Sequence, residues 1–171
     1  MNQDNAITQF EALYHQTFRQ LSQYVLFKAG SVSDTEDIVA AVYADYFQHV
    51  VQRGHAEPTN PYAYLVRMAN HGLGRLYKER QTEMSLDDEH NHLSETLPDD
   101  PEALSRFFDQ IDSQELWLGI RRLSAAEQQV IVAHLRFDLT FRDIAGQLGQ
   151  KESAVKLRYY RALERLKKMF T

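Results

Sequence analysis

Apolar residues return at steps of three and four along most of the chain, the period of helices that each bury one face. Phe10, Leu13, Tyr14, Phe18, Leu21 and Val25 trace the first such stripe. In "GSVSDTED" a glycine stop is followed by Ser33 and Glu36 at the spacing of a capping box, which predicts a second helix over 34–53 carrying Ile38, Val42, Tyr46, Phe47 and Val50. "GHAEPTNP" breaks that pattern with glycine and two prolines. A third helix is predicted over 61–80, with Pro61 in its first turn and Tyr64, Leu65, Met68, Leu73, Leu76 and Tyr77 along one side. Three helices with one apolar stripe each make a small bundle.

The pattern then fades into "QTEMSLDDEHNHLSETLPDDP", which offers little apolar surface to offset the entropy of ordering. It resumes near residue 102 through Leu104, Phe107, Phe108, Ile111, Leu116 and Ile120, with a break expected around Asp112. Ser124 and Glu127 form a second capping-box pair ahead of Val130, Ile131, Ala133 and Leu135, and Thr140 with Asp143 forms a third ahead of a short helix ending at Leu148 and Gly149. A last helix runs over 151–169. No alternation of period two persists anywhere. The expected fold is therefore all-α, with two small helical domains at 1–81 and 102–171 joined by an acidic flexible linker at 82–101.

Residues 140–161 have the proportions of a helix-turn-helix: about two turns of helix, a tight glycine-containing turn, then a longer helix. Ala145 is small where the helices must approach, Gly149 permits a left-handed turn, and Val155 fills the space between them. At about 100° per residue, Tyr159, Ala162, Leu163 and Leu166 fall on the side of Val155. The opposite side collects Ser153, Leu157, Tyr160, Arg161 and Glu164, flanked by Lys156 and Arg158. A helix laid in a major groove needs base-contacting residues near its amino-terminal end and basic flanks for phosphates, and this arrangement supplies both.

Composition sharpens this picture through distribution rather than sum. The 171 residues carry a formal charge of −5, which alone speaks against a phosphate-rich partner. Yet residues 1–82 hold seven basic and eight acidic side chains, 83–116 hold one and eleven, and 117–171 hold eleven and five. The carboxyl-terminal block is thus a local cationic surface on an acidic chain. Cysteine is absent, which excludes disulfides, thiolate zinc sites and a cysteine nucleophile. His90 and His92 beside Asp87, Asp88 and Glu89 lack the ligand spacing diagnostic of zinc. With no glycine-rich phosphate loop, nucleophile elbow or acid–base pair, no catalytic residues, cofactor or metal are expected, and the chain is not read as an enzyme. No apolar run long enough to span a bilayer and no secretory signal pattern occur, so the expected location is the cytoplasm, without membrane insertion.

"LSAAEQQVIVAHLRFDLTFRDIAGQLGQKESAVKLRYYRALERLKK" resembles the fourth conserved region of bacterial RNA polymerase sigma factors, in particular the extracytoplasmic-function class. "FEALYHQTFRQLSQYVLF", "SDTEDIVAAVYADYF" and "NPYAYLVRMANHGLGRLYK" resemble successive parts of the second region. The resemblance implies a three-helix region 2 bundle and a helix-turn-helix region 4. It implies that Lys156, Leu157, Tyr160 and Arg161, with Ser153 and Arg158 beside them, face the upstream promoter element. His55, Asn60, Tyr64, Arg67, Met68 and His71 correspond to the part that captures an unstacked base of the minus-ten element. Asp34, Glu36, Asp37, Ala40, Ala41 and Asp45 correspond to the helix that docks on core polymerase. Leu157 stands where a small polar residue is usual, Tyr64 where Trp is common, His71 where Asn is common, and Ala40 and Ala41 where a Gln and an acidic residue are usual.

The implied function is promoter recognition and transcription initiation by a sigma factor bound to core RNA polymerase. The implied partners are the clamp of its largest subunit, the flap of its second subunit, promoter DNA and an anti-sigma factor. Two alternatives stay open at this point: a stand-alone helix-turn-helix operator-binding regulator, and a sigma-like adaptor without initiation activity.

Overall fold

The computed structural model describes residues 2–83 and 100–171, and among them every regular element is helical. The chain divides into two compact units. The first holds described residues 2–29 and 33–83, and the second holds 30–32 and 100–171.

In the first unit, α1 (Gln3–Ala29), α2 (Val32–Tyr46) and α3 (Pro61–Glu83) pack around Leu21, Val25, Val39, Val42, Tyr43, Tyr46, Leu65, Ala69 and Leu73. The predicted stripes supply Leu21, Val25, Val42, Tyr46, Leu65 and Leu73 of this core, whereas Val39, Tyr43 and Ala69 lie outside them and Tyr77, expected inside, is exposed. Phe10, Leu13 and Tyr14 sit at its margin, while Phe18 is exposed, its ring resting 5.0 Å from Tyr14. A polar brace crosses α1 and α2: the Tyr43 hydroxyl lies 2.7 Å from Thr17 Oγ1, which itself donates to the Leu13 carbonyl at 2.6 Å. With its only proton committed to Leu13, Thr17 accepts from Tyr43, so both buried hydroxyls are satisfied.

Two features of the expected second helix differ. It starts at Val32, so Ser33 lies inside the first turn and does not act as the helix cap. Val32 and Thr35 are buried, and the Val32 amide donates to Gln128 Oε1 at 2.8 Å. At the other end, Phe47–Gln52 winds as a π-helix, where the Arg53 amide reaches back five residues to Gln48 at 3.0 Å. The wider turn keeps both Val50 and Val51 buried as the chain leaves the bundle.

The second unit comprises α4 (Pro101–Asp109), α5 (Ser113–Arg121), α6 (Ala125–Leu135), α7 (Phe141–Leu148) and α8 (Glu152–Met169). The break near Asp112 is present, and its carboxylate accepts from the Gln114 amide at 2.8 Å to start α5. Both capping boxes ahead of α6 and α7 form reciprocally. α6 is buried throughout 127–133, and α5, α7 and α8 all pack on it. Leu135 departs from the predicted stripe and is exposed.

The buried polar groups of α6 have partners. Glu127 pairs with Arg165 of α8 at 2.7 Å, and the Gln128 amide donates to the Arg121 and Leu123 carbonyls that end α5. α5 and α8 approach closely because residue 119 is glycine: a Cβ there would meet Leu166 and the Phe170 ring at 3.1 Å.

Candidate nucleic-acid interface

The carboxyl-terminal candidate surface is built on α7, its turn and α8. Thr140 Oγ1 accepts from the Asp143 amide at 3.1 Å, and Asp143 returns an oxygen to the Thr140 amide. Gly149 ends α7 at φ 63°, the left-handed conformation that glycine adopts without steric cost. The five residues of α8 that are buried are Val155, Tyr159, Ala162, Leu163 and Leu166, the side defined by periodicity. Ile144 and Ala145 of α7 are buried as well.

Opposite that face, Ser153 and Lys156 are exposed, while Leu157, Arg158, Tyr160 and Arg161 are half-buried. Three of these are oriented by neighbours. Arg158 Nη1 donates to Gln150 Oε1 at 2.7 Å, tying the helix to its turn. The Tyr160 ring lies 5.2 Å from Tyr159 and 6.1 Å from Phe141. The Nε of Arg161 is shielded from solvent. Beneath them His134 stacks on Phe141 at 4.4 Å and meets the edge of Tyr159 at 4.7 Å, with Nδ1 2.8 Å from the Leu139 carbonyl. Burial, assisted by Tyr160, pushes the Tyr159 phenol up to about 12. Lys151 stands at the N-cap of α8, which begins without a side-chain cap.

In the amino-terminal unit the six residues matched to base capture have different roles in packing. Tyr64 meets Tyr46 edge to face at 5.8 Å, and the Arg67 guanidinium lies over the Tyr64 ring at 5.7 Å. Burial first, then Glu57 and Tyr64, push the Tyr46 phenol up to about 12. Met68 lines a groove of about 430 Å³ between α2 and α3, together with Ile38, Ala41, Asp45 and Gly72. Asn60 caps α3, its Oδ1 accepting from the Ala63 amide at 3.1 Å. His55 and His71 are exposed, and the His55 ring stands 5.9 Å from His49. Tyr64 and Arg67 are thus brought together, Met68 lines the groove beside α2, and His55 lies beyond the π-helical turn, its amide donating to the His49 carbonyl at 3.1 Å.

Of the residues matched to polymerase docking, Glu36, Asp37, Ala40 and Ala41 are exposed on α2. Asp34 pairs with Arg80 of α3 at 2.8 Å, and Asp45 pairs with His49 at 3.3 Å, so both carboxylates have partners within the chain. Asp34, Asp37 and Asp45 rim the same α2–α3 groove as Met68.

Periodicity missed a basic row on α3. Arg67, His71, Arg75 and Lys78 are all exposed, at a spacing that keeps them on one side of the helix, and counting cations by helical turn would have found it. His90, His92 and their acidic neighbours lie outside the described residues. Among the described residues no cluster of three His, Asp or Glu is placed to hold a metal ion, and no helix is long and apolar enough to cross a membrane.

Residues 113–166 match the family described as Sigma-70, region 4. No curated protein matches the chain. The carboxyl-terminal portion is a sigma-70 region 4 domain, of the kind carried by extracytoplasmic-function sigma factors and other members of that family.

Proposed function

We propose that this chain, with its sigma-70 region 4 domain, is an extracytoplasmic-function-type sigma factor that binds core RNA polymerase and directs promoter recognition. The observation that carries the proposal is the α7–Gly149–α8 unit. It is a helix-turn-helix with Ser153, Lys156, Leu157, Arg158, Tyr160 and Arg161 on the side of α8 away from its buried residues. Lys156 and Arg158 meet phosphates, and Leu157, Tyr160 and Arg161 approach base edges in the major groove.

The bundle of 1–81 acts as region 2. Tyr64, backed by Tyr46 and covered by Arg67, is the stacking surface for an unstacked minus-ten base, with His55, Asn60, Met68 and His71 around it. The exposed part of α2, at Glu36, Asp37, Ala40 and Ala41, contacts the polymerase clamp, and region 4 meets the flap. Of the linker expected at 82–101, Thr82 and Glu83 end α3, Asp100 caps α4 and Pro101 starts it, and 84–99 lie outside the described residues. Such a factor works in the cytoplasm, and an anti-sigma protein is a natural partner.

A sigma-like adaptor is favoured by one feature: alanines occupy the exposed α2 positions and Asp34 is tied to Arg80. Run-off transcription with purified full-length chain and core polymerase separates the possibilities. Promoter-dependent transcripts are expected only when both are present. Stable association with core enzyme but no transcript means an adaptor, and tight duplex binding without core enzyme means an operator-binding regulator.

A further inference from the structure

We propose that Leu157 reads the 5-methyl group of a thymine, making this chain select an upstream element with thymine beneath the middle of α8. The inference deepens the proposed promoter-recognition function and rests on it. On a helical wheel Leu157 stands about 200° and Ser153 about 160° from Val155 of the packed face, while Lys156 and Arg158 stand about 100° and 300° away. Ser153, exposed, and Leu157, half-buried, are therefore the two side chains in the amino-terminal half of α8 that stand farthest from the packed side, and Leu157 is the apolar one.

Its polar neighbours are drawn off this axis. Arg158 is held toward the turn by Gln150, Tyr160 leans on Phe141 and Tyr159, and the inner part of Arg161 is shielded. Ala154, one turn nearer the amino end, is exposed and apolar too. Leu157 and Ala154 thus form an apolar spot on the outward surface, with the hydrogen-bonding groups of Ser153, Lys156 and Arg158 around it. In the major groove the only apolar group on a base edge is the thymine methyl. Seating Leu157 over that methyl buries apolar area, whereas seating it over the donors and acceptors of a G·C pair removes their water and returns no partner.

The test uses full-length chain bound to core polymerase. A duplex pool randomised across the upstream element is selected for binding, and the enriched duplex is remade with deoxyuridine in place of each thymine in turn, which deletes the methyl and keeps the pairing. One position is expected at which deoxyuridine weakens binding about fourfold, the equivalent of one buried carbon. In the Leu157→Ala chain that penalty disappears, and Leu157→Met restores it. Circular dichroism melts show whether each variant folds.

Equal binding of the thymine and deoxyuridine duplexes at every position overturns the proposal, as does a penalty that persists in Leu157→Ala. A selected element that is well bound but lacks thymine overturns it while leaving the sigma-factor function standing. Failure to enrich any upstream element removes both.

Discussion

The outward side of α8 and the α3 surface of the amino-terminal unit are both matched to DNA, and they are built in opposite ways. On α8 the fully buried residues Val155, Tyr159, Ala162, Leu163 and Leu166 lie on one side and fix the helix, and the proposed recognition residues lie on the other, exposed at Ser153 and Lys156 and half-buried at Leu157, Arg158, Tyr160 and Arg161. On α3 the same residues serve both ends: Tyr64 packs on Tyr46, Met68 lines the α2 groove, and Asn60 holds the helix start. A rigid duplex is read by a surface prepared in advance. A base pulled from its stack is held by side chains that are themselves part of a wall. Substitutions on α8 should therefore separate recognition from stability, and substitutions near Tyr64 should not.

The largest expected effect tests the foundation of that separation. Ile144→Ala, at a fully buried contact of α7, should destabilise the carboxyl-terminal unit by about 2–5 kcal/mol in chemical denaturation and abolish upstream-element binding with it. Next, Arg161→Ala should cost about 1–3 kcal/mol of discrimination between specific and scrambled duplexes, read beside a melt of the same variant because the side chain is half-buried. Its counterpart Arg67→Ala should weaken retention of single-stranded minus-ten DNA and leave upstream binding unchanged, and equal losses in both assays would erase the contrast.

Removing a cap is smaller. Thr140→Ala takes away the oxygen that receives the Asp143 amide and should lower stability by about 1 kcal/mol, visible as a shifted denaturation midpoint. The last effect is silent at neutral pH and common to both units. Tyr46 and Tyr159 both titrate near 12 when folded, against 10.0 for an ordinary phenol. Between those values the unfolded chain has lost protons that the native chain keeps, so stability is complete below pH 10 and falls as pH rises toward 12. Melting temperature against pH should show this decline, and Tyr159→Phe should flatten it for the carboxyl-terminal unit alone.

What was legible in the sequence follows from how local each cause is. Capping boxes at Ser124 and Thr140 span three residues and were readable as spelled, as was the left-handed turn at Gly149. The buried side of α8 was readable because one period runs unbroken over 18 residues. The π-helical turn was not, because Phe47, Val50 and Val51 continue an apolar pattern that suits ordinary helix equally well, and the change lies only in which carbonyl each amide meets. The start of α2 at Val32 was not, because its amide is met by Gln128 Oε1, 96 positions away, a partner that no local pattern announces. Asp34 looked like a free acidic contact until Arg80, 46 positions away, was found beside it. Gln128 gave no sign that its amide closes the end of α5.

The link from Arg158 to Gln150 has a consequence for binding. A cation fastened across the bend, beside the left-handed Gly149, ties α8 to the turn that precedes it. Under the proposed function, a bend held in this way surrenders less freedom on entering a groove than a loose one would.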